Sequence, residues 1–352
     1  MKTRTLLVDS SYLLKRSFFG AKDISTPKFG HIGGLYAFLT TVRKLIKEHM
    51  INKVILAWDG QGGGIQRYHI DNKYKANRKY KKWGEEEKIV LNDVEIKREK
   101  DKEVSLLKQR MRIQAYAENL FLRQIEIEDI EADDIIAAYC LKYNNKEEIF
   151  IYSNDRDFAQ LLDLNIKIIF ANIDQPVNRE NYFMYFNHHY SNALVLKIIC
   201  GDDVDNVKGI SGIGEKTLLE HFPELKFKHI TVKEICKRAD EINKKRIEAK
   251  LKPLKALENL LNNIDRLKMN FQLVNLREPL LNEQAEEALK DMDMPLSPKD
   301  RKSKFLYNMM MEDEFLSIYG STFVQYVEPY YTVIMNEKDL LTAYYKNKKN
   351  NL

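Results

Sequence analysis

Three short apolar runs in this chain each lead into aspartate, and this pattern limits the fold more than any other feature. The runs are residues 4–8, 53–58 and 148–153, the acids that follow them are Asp9, Asp59, Asp155 and Asp157, and a fourth apolar run spans 166–170. The runs show little alternation, which is typical of strands buried on both faces of a parallel sheet. A helical pattern at 33–49 separates the first two runs, so the sequence predicts an α/β domain with right-handed crossovers.

The aspartates come just after the predicted strands, and ligands bind at that edge of an open α/β sheet. Further acids come in close pairs, and the full candidate set is Asp9, Asp59, Glu131, Asp133, Asp134, Asp155, Asp157, Asp202 and Asp205. Hard divalent cations such as Mg²⁺ prefer oxygen ligands, and two ions about 4 Å apart can promote an in-line displacement at phosphorus. Any single acid, taken alone, is better explained as a surface residue, turn former or helix cap. The shared strand-end placement favours a metal-assisted site.

The stretch after the glycine-rich junction at 60–64 is dense in charge and is expected to be too polar for the core. Its basic residues Arg67, Lys73, Lys75, Arg78, Lys79, Lys81 and Lys82 are interleaved with Tyr68, Tyr74, Tyr80 and Trp83. Basic groups contact phosphates and aromatic rings stack on unpaired bases, so the pattern indicates capture of a nucleic-acid strand. We assign DNA contact to Arg67, Tyr74 and Lys79. A solvated charged helix is the alternative.

Residues 190–225 predict two helices joined by a glycine-containing loop, with the second helix beginning near Glu215. Glycines let the backbone approach a phosphate closely, and the free amides of a helix start point towards it. The residues assigned to phosphate contact are Lys208, Gly209, Gly212, Gly214 and Lys216. The loop is either a clamp on the DNA backbone or a plain helix–turn–helix corner, and the nearby Asp202 and Asp205 favour the clamp.

Composition narrows the class of protein further. No run of about 20 apolar residues is present, so no membrane span is expected. The three cysteines, Cys140, Cys200 and Cys236, are far apart and form no disulfide or metal-binding pattern, which favours a reducing cytoplasm. The net charge is only +5, but basic and acidic residues are strongly segregated along the chain, as expected for a polyanionic substrate brought to bound metal.

Five motifs in the first 225 residues resemble those of the flap endonuclease / 5′-to-3′ exonuclease family. They are VDSS with Asp9, AWDG with Asp59, EADD at 131–134, SNDRDF at 153–158 and GDDVDNVKGISGIGEKT at 201–217. The chain looks similar to phage enzymes of ribonuclease-H and 5′-exonuclease type and to the 5′ nuclease domain of bacterial DNA polymerase I. The run 61–64 and the sequence beyond Trp83 depart from the family pattern.

The resemblance implies a PIN-like α/β nuclease domain with a parallel sheet and a helical arch, then a helix–three-turn–helix and a mostly helical C-terminal region. We place the nuclease domain at 1–185 with the arch at about 64–110, the DNA-binding helices at 186–290, and a C-terminal extension at 291–352. The extension has no assigned role: it either packs on the domain, which we favour, or binds a replication partner.

The resemblance also implies roles for individual residues. The first metal would be bound by Asp9, Asp59, Glu131, Asp133 and Asp155, and the second by Asp157, Asp202 and Asp205. Asp134 would hold a metal-bound water. Lys75 and Arg78 would lie at the scissile phosphate with Tyr74 beside them, and Arg16 matches a basic residue that some members use. The loop 207–214 resembles a site where family members bind K⁺.

The implied activity is that of a Mg²⁺-dependent 5′ nuclease with two ions that Mn²⁺ can replace. It would hydrolyse DNA flaps, 5′ ends and RNA primers in RNA–DNA hybrids during replication and repair. The expected partners are branched or 5′-ended DNA, RNA–DNA hybrid, and a single-stranded-DNA-binding protein or other replication proteins. We expect a monomer in the cytoplasm of a bacterium or a phage-infected host. The alternatives are a PIN-type ribonuclease acting on structured RNA and a nuclease-dead protein that binds forked DNA.

Overall fold

A parallel sheet lies at the centre of the computed structural model, which describes residues 2–21, 24–26, 30–76, 93–296 and 303–350. Its strands, with two short antiparallel pairs, are β1 (Arg4–Asp9), β2 (Ser25–Thr26), β3 (Gly30–His31), β4 (Lys53–Trp58), β5 (Arg123–Glu126), β6 (Glu148–Tyr152), β7 (Ile166–Ile169), β8 (Gly201–Asp202) and β9 (Val207–Lys208). The main sheet has the order β5–β4–β1–β6–β7 with every pair parallel, while β2 pairs with β3 and β8 with β9.

Helices cover both faces of this sheet and, with the loops that connect them, make up the rest of the described chain. They are α1 (Ser10–Gly20), α2 (Gly33–His49), α3 (Ile65–Ile70), α4 (Asp93–Asn119), α5 (Ala132–Tyr143), α6 (Ala193–Cys200), α7 (Glu215–His221), α8 (Val232–Glu248), α9 (Lys255–Asn262), α10 (Ile264–Val274), α11 (Glu283–Asp291), α12 (Ser303–Glu312), α13 (Phe315–Tyr319), α14 (Phe323–Val327) and α15 (Tyr331–Asn350). Short 3₁₀ helices span Arg156–Leu161, Tyr182–Met184, Tyr190–Asn192, Pro223–Lys226 and Glu328–Tyr330. Among the described residues, no helix is both long and apolar enough to cross a bilayer.

The predicted strands and helices are present. The four apolar runs form β1, β4, β6 and β7, the helical pattern at 33–49 forms α2, and α7 begins at Glu215 as expected. Strand β5 was not predicted, because three of the four residues in its sequence RQIE are polar; it pairs on one side only, with β4 at the sheet edge. The edge strand β7 was detected because its sequence IKII is mostly apolar, whereas β5 has no apolar run for the same pattern to detect.

The strands lack alternation because both faces of the sheet are buried. Leu6 and Val8 of β1 belong to one core, formed with α1, α2 and α4, while Leu7 belongs to the other, formed with α5 and α11. Strands β4 and β5 lie on one side of β1, and the chain then crosses over so that β6 and β7 lie on the other side. The strand order therefore reverses at β1, and ligand sites of open α/β sheets lie at such a point, outside the carboxyl ends of the strands.

The helices α6 to α10 form a third core of their own, which includes Leu218, Leu257 and Leu273. Tyr74, from the stretch that follows α3, is buried in the same core. The region that contains the predicted DNA-binding loop therefore packs directly against the first part of the predicted arch. Residues 77–92 of that arch lie outside the described part of the chain.

The C-terminal extension packs on the nuclease domain. Phe315 and Tyr330 are fully buried in the same core as Trp58 of β4. Arg43 of α2 donates to the Tyr319 hydroxyl at 2.6 Å and to the Tyr326 carbonyl oxygen at 2.8 Å. For the described residues of 303–350, packing on the domain, the alternative favoured from the sequence, is confirmed.

A buried ion pair joins this extension to the sheet edge and gives a testable result. Arg123 of β5 and Glu337 of α15 are both almost fully buried, with Nη2 and Oε2 2.7 Å apart. Because removing one partner leaves the other charge buried and uncompensated, we expect Glu337→Gln to lower the free energy of unfolding by about 3 kcal/mol. Urea unfolding measures this. Asp339→Asn, an exposed change on the same helix, should shift the value by less than about 0.5 kcal/mol; equal losses would contradict the prediction.

Candidate active site

The ends of three neighbouring strands hold two aspartates in fixed positions. Asp9 ends β1 and caps α1: one of its oxygens accepts from the Tyr12 amide at 2.9 Å, and the other accepts from the Ser153 hydroxyl at 3.0 Å. Asp59 follows β4 and accepts from the Ala132 amide at 3.0 Å. Because Ser153 follows β6 and Ala132 begins α5, these bonds tie four chain segments to one edge of the sheet.

Asp155 and Asp157 lie at the start of the 3₁₀ helix that follows β6. Asp155 accepts from the Asp157 amide at 2.8 Å and donates its own amide to the Ser153 hydroxyl at 3.1 Å. Ser153 therefore bonds both Asp9 and Asp155, and the strand-end aspartates predicted to meet are brought together.

Like charges accumulate in this pocket. The pKa of Asp9 is raised to about 7: burial is the largest cause, and the Asp59 and Asp155 carboxylates add to it, while the hydrogen bonds from Tyr12 and Ser153 oppose it. Burial also raises the pKa of Asp133 well above its usual range, with Asp155 and Asp9 contributing. Burial and the neighbouring Asp155 together raise the pKa of Asp157 to about 8. Bound cations relieve this kind of repulsion.

Glu131, at the start of α5, is held by three side chains from one short stretch. Arg67 donates to it at 2.7 Å, the Tyr74 hydroxyl donates at 3.1 Å, and the Lys75 ammonium forms an ion pair with it. All three side chains are buried. The expectation that this stretch is too polar for the core is therefore wrong at these positions, because each polar group has a buried partner.

Arg67 also organises Asp134, which is almost fully buried. Arg67 Nη2 donates to Asp134 at 2.9 Å, the Leu280 amide donates to the same oxygen at 3.0 Å, and Arg67 Nε donates to the Leu273 carbonyl at 2.8 Å. These contacts support a positioning role for both residues. They do not support direct DNA contact by the buried Arg67 and Tyr74, and the predicted water-holding role of Asp134 stays a prediction.

Lys197 was not identified from the sequence, yet its ammonium lies between two of the predicted ligands. It pairs with Asp157 and, at 2.7 Å, with Asp202. Burial alone would lower the pKa of Lys197, but Asp157, Asp155 and Asp202 raise it well above its usual range. The only signal in the sequence is a single lysine within the apolar run of α6, which is otherwise read as the exposed side of a core helix.

The turn between β8 and β9 brings the remaining acids to the same region. Asp202 accepts from the Val204 amide at 2.7 Å. Burial raises its pKa, but Lys197 and the turn amides lower it more, so the net shift is downward. Asp205 accepts from the Tyr74 hydroxyl at 3.3 Å, and its carbonyl oxygen accepts from the Lys75 amide at 2.7 Å.

In the loop 207–214, each glycine occupies its position for a different structural reason. A Cβ at Gly209 would lie 2.0 Å from the Cys200 carbonyl oxygen, so close backbone packing explains this glycine without a ligand. Gly212 has a φ of +83°, which favours glycine, while Gly214 caps α7 with open space around it. Lys208 and Lys216 are exposed. Phosphate contact by these five residues stays a prediction.

Of the three remaining candidate residues, Arg16, Arg78 and Lys79, the structure describes only Arg16. Arg16 is exposed on α1 beside the Tyr12 and Tyr152 phenols; burial raises the pKa of each phenol, and the guanidinium opposes this. Arg78 and Lys79 lie outside the described residues.

The donor set fits divalent cations in its chemistry. In the described ranges, no three Asp, Glu, His or Cys side chains converge closely enough to form a ready-made metal site. The ion pairs suggest why: Lys75 holds Glu131, and Lys197 holds Asp157 and Asp202. Carboxylate oxygens are the ligands that Mg²⁺ and Mn²⁺ prefer, and the acids outnumber the cations that balance them.

Comparison with known proteins then identifies the family. A family model described as "5′-3′ exonuclease, N-terminal resolvase-like domain" matches residues 4–188. This chain belongs to the 5′-3′ exonuclease family. A 5′-3′ exonuclease of Halalkalibacterium halodurans is 30% identical over 225 residues, which are 61% of this chain and 67% of the relative. That of Mycoplasmopsis pulmonis is 29% identical over 224 residues, 62% of this chain and 67% of the relative.

Solved structures of exonuclease-family proteins have the same fold. T5 5′-exonuclease with bound divalent metal ions (zinc) matches with a TM-score of 0.59 at 20% identity, over 90% of this chain and 99% of that one. A T5 flap endonuclease pseudo-enzyme-product complex with DNA and metal ions matches with a TM-score of 0.58 at 20% identity, over 88% and 99%. The α/β fold class and the family resemblance inferred from the five motifs are confirmed.

Proposed function

We propose that this exonuclease-family chain is a divalent-metal-dependent 5′ nuclease that hydrolyses phosphodiester bonds in DNA. The observation that carries the proposal is that Asp9, Asp59, Asp133 and Asp155, from four chain segments, lie near enough to one another at the carboxyl edge of the sheet to raise the pKa of Asp9 and of Asp133. The relatives described as 5′-3′ exonucleases, and the T5 structures with metal ions and DNA, support the same reading.

The acids divide into two groups around two cations. Asp9, Asp59, Glu131, Asp133 and Asp155 would hold a first Mg²⁺, and Asp157, Asp202 and Asp205 a second. When bound, such ions activate a water and stabilise the leaving oxygen of a phosphodiester. The two-ion arrangement, Mg²⁺ as the natural ion and K⁺ at the loop 207–214 are parts of the proposal that follow from the family resemblance.

The protein's own groups orient the reacting parts. The Ala132 amide and the Ser153 hydroxyl fix the carboxylates of Asp59 and Asp9, so little reorganisation is needed when a cation binds. The ammonium of Lys75 would stabilise charge that develops on the scissile phosphate. Arg67 and Tyr74 hold Glu131 in place and act as positioning residues.

Preferred substrates would be 5′ flaps, recessed or nicked 5′ ends, and RNA primers in RNA–DNA hybrids. The test is product mapping on a labelled 5′-flap DNA, a nicked RNA–DNA hybrid and a folded RNA, each with Mg²⁺ and with EDTA. We expect metal-dependent cleavage near the junction of the first two substrates. Cleavage of the folded RNA alone would indicate a PIN-type ribonuclease, and binding without cleavage in Mg²⁺ or Mn²⁺ would indicate a nuclease-dead protein.

A further inference from the structure

The connection between α8 and α9 concentrates positive charge. Residues 244–255 contain Lys244, Lys245, Arg246, Lys250, Lys252 and Lys255. Glu248 is the single acid in this stretch, so its local charge is +5, equal to that of the whole chain. All the lysines are exposed and Arg246 is partly exposed. Such density on one hairpin fits a polyanionic partner.

Most of these charges are available to a partner. Lys244 pairs with Asp240 at 2.7 Å, and Arg246 donates to the Lys252 carbonyl oxygen at 2.9 Å. Within the described part of the chain, the other four lysines have no ion pair. A solvated charged surface would be expected to intersperse both signs.

The hairpin is also held in a fixed shape. Asn243, which is buried, accepts from the Leu254 amide at 2.8 Å across the connection. The Leu251 amide donates to the Arg246 carbonyl oxygen at 2.8 Å. A preformed surface loses little conformational freedom when it binds, so less of the favourable electrostatic free energy is offset by ordering the hairpin.

The hairpin adjoins the loop 207–214. Asn259 of α9 donates to the Ser211 carbonyl oxygen at 2.9 Å, and a side chain at Gly212 would meet the Ala256 methyl group at 3.8 Å. Lys255 precedes Ala256, so the C-terminal end of the basic stretch lies beside the loop. The two basic elements are therefore neighbours in the fold.

We propose that the α8–α9 hairpin is a second phosphate-contacting surface that binds the backbone of the same nucleic-acid duplex as the loop 207–214. The identity of the ligand rests on the proposed function. Duplex DNA carries one charge per about 1.7 Å of axis, so two adjacent basic elements contact successive phosphates along it. Binding through the backbone requires no particular base sequence.

The test is the salt dependence of duplex binding by the full chain, measured by fluorescence anisotropy in EDTA so that no cleavage occurs. A variant with Lys245→Gln, Lys250→Gln and Lys252→Gln is compared with wild type on a 24-base-pair duplex from 50 to 200 mM salt. We expect the slope of log Kd against log salt to fall by about 2 to 3, and Kd to rise roughly tenfold or more. The matched control, Lys304→Gln, Lys338→Gln and Lys346→Gln, removes the same charge from the C-terminal extension and should leave both values near wild type.

A single substitution separates charge from folding. Lys250 has a φ of +58°, a conformation that glycine adopts without strain. Lys250→Gly should keep the melting temperature at or above that of wild type and still lower the slope by about 1.

Three outcomes would overturn the inference. The triple variant could have the same salt slope as wild type, or the control variant could lose as much slope as the triple variant. In a parallel binding measurement, the triple variant could lose binding to polyglutamate while it keeps binding to DNA. The last would assign the hairpin to an acidic protein. Because binding is measured without metal, a hairpin-dependent slope in a protein that cuts nothing would reject the proposed nuclease and keep the second binding surface.

Discussion

Replacing Asp155 by asparagine should slow cleavage of a 5′-flap substrate by roughly 10³-fold while leaving its affinity for the substrate largely unchanged. Asparagine keeps the oxygen that accepts from the Asp157 amide, so the start of the 3₁₀ helix should be retained. What is lost is a negative charge beside Asp9 and Asp133, in the pocket proposed to hold the first cation. Single-turnover kinetics and anisotropy with the same substrate measure the two effects separately.

The matched control for this change is Asp174→Asn, which removes an exposed carboxylate beyond β7. It should leave both rate and affinity near wild type. A wild-type cleavage rate in Asp155→Asn would show that this carboxylate is not needed, and its assignment as a metal ligand would be wrong. An equal loss of binding and rate would instead indicate a damaged fold, which a melting curve would detect.

Replacing Lys75 by alanine should reduce the single-turnover rate by roughly 10²-fold and weaken substrate binding by much less. Burial lowers the pKa of Lys75, but Glu131 and Asp205 raise it by more, so the ammonium is charged at neutral pH. A cation at a scissile phosphate matters most as charge develops in the transition state. Glu131 keeps its hydrogen bonds from Arg67 and Tyr74 in the variant, which should preserve the site.

Lys73→Ala is the control for this second variant, because Lys73 is exposed on the same turn and its ammonium forms no ion pair with any of the described residues. It should change the rate little. Comparable losses of affinity and rate in Lys75→Ala would contradict a role in the chemical step. They would indicate instead that the ammonium contributes to ground-state binding of the phosphate backbone.

The central sheet was predictable because local sequence determines it. Each apolar run is buried on both faces, and the acid that follows it is placed by the strand end itself, as Asp9 and Asp59 show. Strand β5 was not predictable by the same rule, since three of its four residues are polar and it contains no apolar run.

The acidic residues of the site could be predicted from the sequence, whereas the places of its basic residues largely could not. Whether a lysine or arginine is buried depends on a partner from elsewhere in the chain, and Arg67 meets Asp134 across 67 positions. Lys197 meets Asp157 across 40 positions, within a helix whose pattern indicates only a core face. Composition suggested a solvated segment at 65–75, and tertiary packing produced buried ion pairs there instead.

Among the described residues, the side chains that bind the Glu131 carboxylate come from one chain segment: Arg67, Tyr74 and Lys75 all belong to a stretch of nine residues. In chimaeras between relatives, residues 65–76 and the start of α5 should therefore be exchanged together. A graft that begins at residue 77 would keep the recipient's own side chains in contact with the Glu131 carboxylate. A graft that begins at the glycine junction would replace those side chains together with the rest of the arch.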